Sequence, residues 1–145
     1  MVCTFFGHRD CYGLEKTALS NTIERLIEGG VDTFYIGNQG SFDAMAFSCL
    51  MELKKVHTHI SILVVLAYYP ISKNEDSTYN NYSIYPEEVA KASRKFAIDK
   101  RNYWMLKRAD CCLCYVNHTW GGAYKFALRA KRCGITVINL GCVIL

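Results

Sequence analysis

The stretch Cys111-Cys112-Leu113-Cys114-Tyr115-Val116-Asn117-His118-Thr119-Trp120-Gly121-Gly122-Ala123 decides the fold. Its first six residues carry no charge and read as a strand, with cysteines where buried apolar residues belong; a free cysteine behaves as a small hydrophobe. Its end opens a helix over about residues 122–133. A glycine pair between a strand and a helix presents bare amides at a helix N-terminus, where the helix dipole favours a phosphate.

Working outward, the same alternation fills the chain. A strand at 2–6 precedes a helix at about 14–30, with Leu19, Ile23, Leu26 and Ile27 on one face and Gly29-Gly30 as its stop. A strand at 33–36, a helix at about 43–56 and a strand at 60–67 follow; residues 62–67 are continuously apolar, as in a strand covered on both faces. Residues 68–94 read as irregular, followed by a helix at about 97–108, the strand 111–116, the helix 122–133 and a strand at 135–140. Alternating strands and helices predict an α/β fold, a three-layer Rossmann-like doubly wound parallel sheet of about five strands in the order 3-2-1-4-5. No repeat or linker interrupts it, so residues 1–145 read as a single domain. Ligands of such sheets bind beyond the carboxyl ends of the strands, at the point between strands one and four where the following helices leave toward opposite faces.

Composition narrows the class. A chain of 145 residues that is 51% apolar and 21% charged is too hydrophobic for disorder and long enough for its own core. The longest apolar run, 60–69, is interrupted by Ser61 and is too short for a membrane span. The start, Met1-Val2-Cys3-Thr4-Phe5-Phe6, reads as a strand rather than a signal peptide, so a cytoplasmic, reduced protein with no membrane partner is expected. Cys111-Cys112-x-Cys114 lacks the two-residue gap of a zinc knuckle and places Cys111 opposite the other two on a strand, so neither a metal nor a cofactor is expected. Residues 1–90 hold six bases and eleven acids, and residues 91–145 hold eleven bases and two acids, Asp99 and Asp110. The net +4 thus conceals a segment at −5 and one at +9, and the basic third suits an anionic partner.

Four loops gather at the functional edge of the predicted sheet. Gly7-His8-Arg9-Asp10 combines a close-approach glycine with a titratable ring and a guanidinium fork suited to phosphate, though Arg9 can equally pair with Asp10 or Asp43. Gly37-Asn38-Gln39-Gly40-Ser41-Phe42-Asp43 makes an anion-friendly turn, and Asp43 either accepts from a ribose hydroxyl or caps its helix. The long segment 68–94 holds Tyr68, Tyr69, Tyr79, Tyr82 and Tyr85, half of the ten tyrosines, with a polar tract at 74–81; it reads as a lid, a stacking surface or an interface. The fourth loop, 117–123, carries the glycine pair. Arg94, Arg101, Met105 and Arg108 have helical spacings that let them share a face.

Thr4-Phe5-Phe6-Gly7-His8-Arg9, Tyr35-Ile36-Gly37 with Gly40-Ser41-Phe42-Asp43, Arg101-Asn102-Tyr103-Trp104-Met105, and Tyr115-Val116 with Trp120-Gly121-Gly122-Ala123 together resemble the SLOG superfamily (Smf/DprA–LOG), most closely its small YpsA-like branch. The resemblance runs in order over nearly the whole chain. It implies a SLOG domain that senses or sequesters a nucleotide or nucleotide-derived ligand, in some relatives within phage defence or anti-defence. The ligand-binding set it implies here is Gly7, His8, Arg9, Gly37, Asn38, Gly40, Phe42, Asp43, Tyr68, Arg101, Asn102, Met105, His118, Trp120, Gly121, Gly122 and Ala123. LOG-type relatives hydrolyse the N-glycosidic bond of nucleoside monophosphates and follow Gly-Gly-x-Gly-Thr with a catalytic glutamate. The matching stretch here is Gly121-Gly122-Ala123-Tyr124-Lys125-Phe126, and no glutamate follows Glu88. That chemistry needs a carboxylate, which leaves only Asp43 or Asp99, so a binder is expected before a LOG-like phosphoribohydrolase. A nucleic-acid or protein adaptor is the third reading. DprA-type relatives bind single-stranded DNA, but no aromatic-lined channel is evident outside the tyrosine loop, so nucleic acid is not expected as a partner. A homo-oligomer is expected through the tyrosines and the apolar end 142–145, which reads alternatively as a last core strand.

Overall fold

The computed structural model describes residues 1–69 and 81–145. Strands β1 (Val2–Gly7), β2 (Thr33–Ile36), β3 (Ser61–Val65), β4 (Ser83–Ile84), β5 (Cys111–Tyr115) and β6 (Thr136–Asn139) form one parallel sheet in the order β4-β3-β2-β1-β5-β6. Helices α1 (Lys16–Glu28) and α2 (Ser41–Lys54) cover one face. Helices α4 (Ala97–Leu106) and α5 (Gly121–Arg132) cover the other, and the short α3 (Glu87–Ala90) precedes α4. Tyr79 and the part of the polar tract at 74–80 lie outside the described residues.

Strand periodicity sorts the core. Phe5 points toward α1 and α2, where its ring lies 6.1 Å from Phe34 and 6.4 Å from Phe42, while Phe6 points the other way to Phe126 at 5.5 Å. On β5, Cys111, Leu113 and Tyr115 join the first cluster, and Cys112 and Cys114 join the second. Six of the eight cysteines are buried in this way; Cys133 and Cys142 are exposed. α1 buries Leu19, Ile23 and Ile27 along one stripe. Burial of each such side chain is worth about 1.5–3 kcal/mol, which outweighs the few tenths that Asn21 and Thr22 cost a helix.

Two expectations are corrected. Among the described residues the sheet has six strands, because Ser83–Ile84 pairs with Val64 and Val65 at the β3 edge. A two-residue strand is too short to show alternation, and its pairing is carried by the backbone, with Val64 N–H donating to Tyr82 O at 2.8 Å and Leu66 N–H to Ile84 O at 2.9 Å. The apolar end forms no strand: Val143 N–H donates to Val116 O at 3.2 Å, Val143 and Leu145 lean on the second cluster, and Ile144 is 97% exposed. The other predicted elements fall within two residues of their expected ends.

Candidate functional site

β1 and β5 are neighbours in register from Cys3 beside Cys111 to Gly7 beside Tyr115, and the helices that follow them leave toward opposite faces. Beyond their carboxyl ends lies a cleft of about 640 Å³. Phe5, Phe6 and Gly7 line it from β1, His8, Arg9, Asp10 and Tyr12 from the loop after β1, and Gly37, Gln39 and Asp43 from the β2–α2 turn. Ile98, Arg101, Asn102 and Met105 line it from α4, and Asn117, His118, Trp120, Gly121, Gly122 and Ala123 from the β5–α5 loop.

A buried acid and a buried base flank Gly37 at the end of β2. Asp43 is 7% exposed and Arg101 3% exposed. Arg101 Nε donates to Asn102 Oδ1 at 2.8 Å and Nη1 donates to Val65 O at 3.3 Å. Gln39 N–H donates to Asp43 Oδ2 at 2.9 Å. Gly37 is what lets the two side chains approach: a Cβ there would lie 2.5 Å from Arg101 Nη1 and 2.8 Å from Asp43 Oδ2. Burial pushes the Asp43 carboxyl up from its usual 3.8 to about 6, against the opposing pull of the Arg101 charge and the Gln39 amide. Burial likewise lowers the Arg101 pKa, and Asp43 opposes that.

The loop after β1 is stitched to α2 through Ser41, whose N–H and Oγ both donate to Arg9 O, at 2.7 and 2.6 Å. Ser41 Oγ in turn accepts from Cys11 N–H at 3.1 Å. The Arg9 backbone is thereby fixed. Its side chain is exposed and makes no ion pair among the described residues, with neither Asp10 nor Asp43 taking it up. Across the cleft mouth three rings form a column: His8 on His118 with centroids 3.5 Å apart, and His118 on Trp120 at 3.9 Å. His8 Nε2 accepts the Asn117 N–H at 3.0 Å, which places the proton of the neutral ring on Nδ1. Burial, then the neighbouring His118, holds the His8 pKa below its usual 6.5.

α5 begins on the cleft wall. Its N-cap, Trp120, supplies no side-chain hydrogen bond to the first turn. Gly121 has φ +88°, a conformation that favours glycine, and a Cβ at Gly122 would meet nothing within 4 Å. The first turn of α5 thus has no side-chain cap and no crowding at Gly122, and its amides lie at the positive end of the helix dipole.

Of the expected site residues, thirteen line this one cleft and four do not. Phe42 is core, packed beneath Gly7. Gly40 sits against the Arg9 backbone, and exposed Asn38 accepts from Gln39 Nε2 at 3.3 Å. Tyr68 is not a lining residue: its hydroxyl donates to Arg94 O at 3.4 Å and the Arg94 guanidinium lies over its ring at 5.1 Å. The predicted shared face of Arg94, Arg101, Met105 and Arg108 does not form. Arg94 lies in a 3-10 turn (Arg94–Phe96) and Arg108 lies past the end of α4, so the 3.6-residue period holds only for Arg101 and Met105, both buried. Sequence reasoning missed Phe5, Phe6, Asp10, Tyr12, Gln39, Ile98 and Asn117 as lining residues. Asp10, Gln39 and Asn117 lie inside loops already singled out, which was the available signal.

The profile of the YpsA family, described as the YspA SLOG family, matches residues 2–133. The chain belongs to this family. No curated protein matches it. Among solved structures, this YpsA-family chain is similar to DNA processing protein A (DprA) from Streptococcus pneumoniae, at 15% identity and a TM-score of 0.72, over 99% of this chain and 51% of that one. It is also similar to DNA processing protein A from Helicobacter pylori, at 11% identity and a TM-score of 0.68, over 96% of this chain and 64% of that one. The chain therefore spans about half to two thirds of the length of these proteins, and what they share with it is the fold. The second structure is described as giving insight into a unique single-stranded DNA binding mode. The expectation that nucleic acid is no partner of this chain is withdrawn on that finding. Its ground was the want of an aromatic-lined channel, and the His8–His118–Trp120 column lines the cleft mouth with rings that come from two loops more than a hundred residues apart.

Proposed function

We propose that the cleft binds a phosphate-bearing, nucleotide-derived ligand and that the protein senses or sequesters it. The observation that carries the reading is the start of α5: uncapped amides and two residues without a Cβ open onto the cleft wall. A phosphate on Gly121 and Gly122 would gain the helix dipole and unpaired N–H donors, and Arg9, free of ion pairs among the described residues, would supply the charge. Asp43 is the acceptor best placed for a ribose hydroxyl, and Trp120, 67% exposed at the end of the ring column, is the surface for a base. Calorimetry against mononucleotides, cyclic dinucleotides, ADP-ribose derivatives and short single-stranded oligonucleotides tests it; silence across the panel refutes it.

One observation favours a second reading, hydrolysis of a nucleotide's N-glycosidic bond. Asp43 lines the cleft with its pKa raised to about 6, in the range of a general acid, whereas Asp99 lies outside the cleft lining and is tied to Lys125 at 2.8 Å. Release of free base from a nucleoside monophosphate, lost in Asp43→Asn with binding retained, supports turnover; intact substrate after long incubation at high protein concentration excludes it.

A further inference from the structure

The outer faces of α4 and α5 form a groove that the cleft does not use. Asp99 of α4 pairs with Lys125 of α5 at 2.8 Å. One turn further along both helices, the Arg129 guanidinium lies over the Tyr103 ring at 4.2 Å. Equal steps of four residues on each helix mean that the two run side by side in the same direction, so the next step brings Lys107, the C-cap of α4, level with Cys133, with Arg132 one residue before it at the end of α5. On the flank, Arg108 lies over the Trp104 ring at 3.9 Å and its Nη1 donates to Trp104 O at 3.0 Å.

Charge along this groove is unbalanced. Lys107, Arg108, Arg129 and Arg132 are exposed, and among the described residues none has an acidic partner. The two acids of residues 91–145 are engaged: Asp99 holds Lys125, and Asp110 accepts the Val2 N–H at 2.8 Å. Basic side chains at helix C-termini commonly offset the helix dipole, but two helix ends carry only about one negative charge together, against four bases here. The excess is matched to an external polyanion. The two arginines narrow its class. An exposed guanidinium centred over an aromatic ring leaves its opposite side to solvent, where an unpaired base can stack. A duplex keeps its bases inside, and an anionic membrane or an acidic peptide has none to offer.

We propose that the α4–α5 groove carries a single-stranded nucleic acid, its phosphates on Lys107, Arg129 and Arg132 and its bases on the stacked guanidinia of Arg108 and Arg129. Fluorescence anisotropy with a labelled oligothymidylate of about 20 nucleotides tests this. Combined Lys107→Glu, Arg129→Glu and Arg132→Glu lowers affinity at least about tenfold and takes about 2 from the magnitude of the salt slope, at about 0.7 for each phosphate no longer neutralised. An abasic phosphodiester of the same length binds more weakly than oligothymidylate. If the triple reversal unfolds the chain, Arg108→Lys with Arg129→Lys serves instead: charge and salt slope persist, while the preference for oligothymidylate over the abasic strand disappears. Undiminished oligonucleotide affinity in the reversed chain, equal affinity for the abasic strand, or binding only to anionic phospholipid vesicles overturns the assignment. Mononucleotide calorimetry on the reversed chain separates this surface from the cleft: the three residues lie outside the cleft lining, so cleft binding is unchanged.

Discussion

Asp43→Asn tests the electrostatics of the cleft most sharply. The carboxyl rises from 3.8 to about 6 on folding, so the folded state holds its proton more tightly than the unfolded chain does. Its contribution to stability is therefore fully present below pH 3.8 and is lost as pH rises through about 6. At about 1.36 kcal/mol per pKa unit the whole shift is worth about 3 kcal/mol, of which about 2.4 kcal/mol is lost between pH 4 and 7. Asparagine keeps an oxygen for the Gln39 N–H and cannot ionise. Urea unfolding of both chains across this window is expected to show the wild type losing about 2.4 kcal/mol relative to Asp43→Asn as pH rises, the two being closest near pH 4. A stability difference that stays flat across the window, or one in which the wild type gains on the variant with rising pH, refutes the reasoning. The first result would mean that the pull of Arg101, 3% exposed, cancels the effect of burial, and the second that it outweighs it.

Gly37→Ala pushes its Cβ against both Arg101 and Asp43 and is expected to cost about 1–3 kcal/mol, read as a lower urea midpoint at constant slope. Arg9→Ala is expected to weaken binding of a phosphate-bearing ligand by about 1.5–3 kcal/mol in calorimetry with no change in melting temperature, because the Arg9 carbonyl that holds Ser41 is retained. In an NMR titration, His8 is expected to protonate below pH 6.5 and the Asn117 amide to move with the same midpoint, since protonation removes the acceptor of that N–H; a midpoint at or above 6.5 contradicts the ring column as described.

The central strands were legible because a parallel sheet buries both faces and leaves continuous apolar runs such as 62–67 and 111–116. Their order followed from the alternation with helices and the handedness of crossovers. β4 was not legible, since two residues carry no period and backbone pairing to β3 leaves no mark in side-chain pattern. At the cleft, Gly7, Gly37 and the pair Gly121-Gly122 were readable because each stands where a strand ends or a helix begins. The placement of Asp43 and Arg101 on either side of Gly37 was not, because 58 residues separate them and only the packing of α2 and α4 at the end of β2 brings them near. That Tyr68 packs against Arg94 rather than lining the cleft was not legible for a related reason: composition marks a tyrosine-rich segment but not the partner of a ring. The ring column joins His8 to His118 across adjacent strands, which local spacing does not encode.

The most direct measurement of the central claim is a ¹⁵N-resolved NMR titration with the nucleotide that binds most tightly in the calorimetric panel. The account predicts that the amides of Gly121 and Gly122 move first and furthest, followed by Asn117 and the loop after β1. Shifts confined to other parts of the chain, with the start of α5 unmoved at saturation, would contradict it.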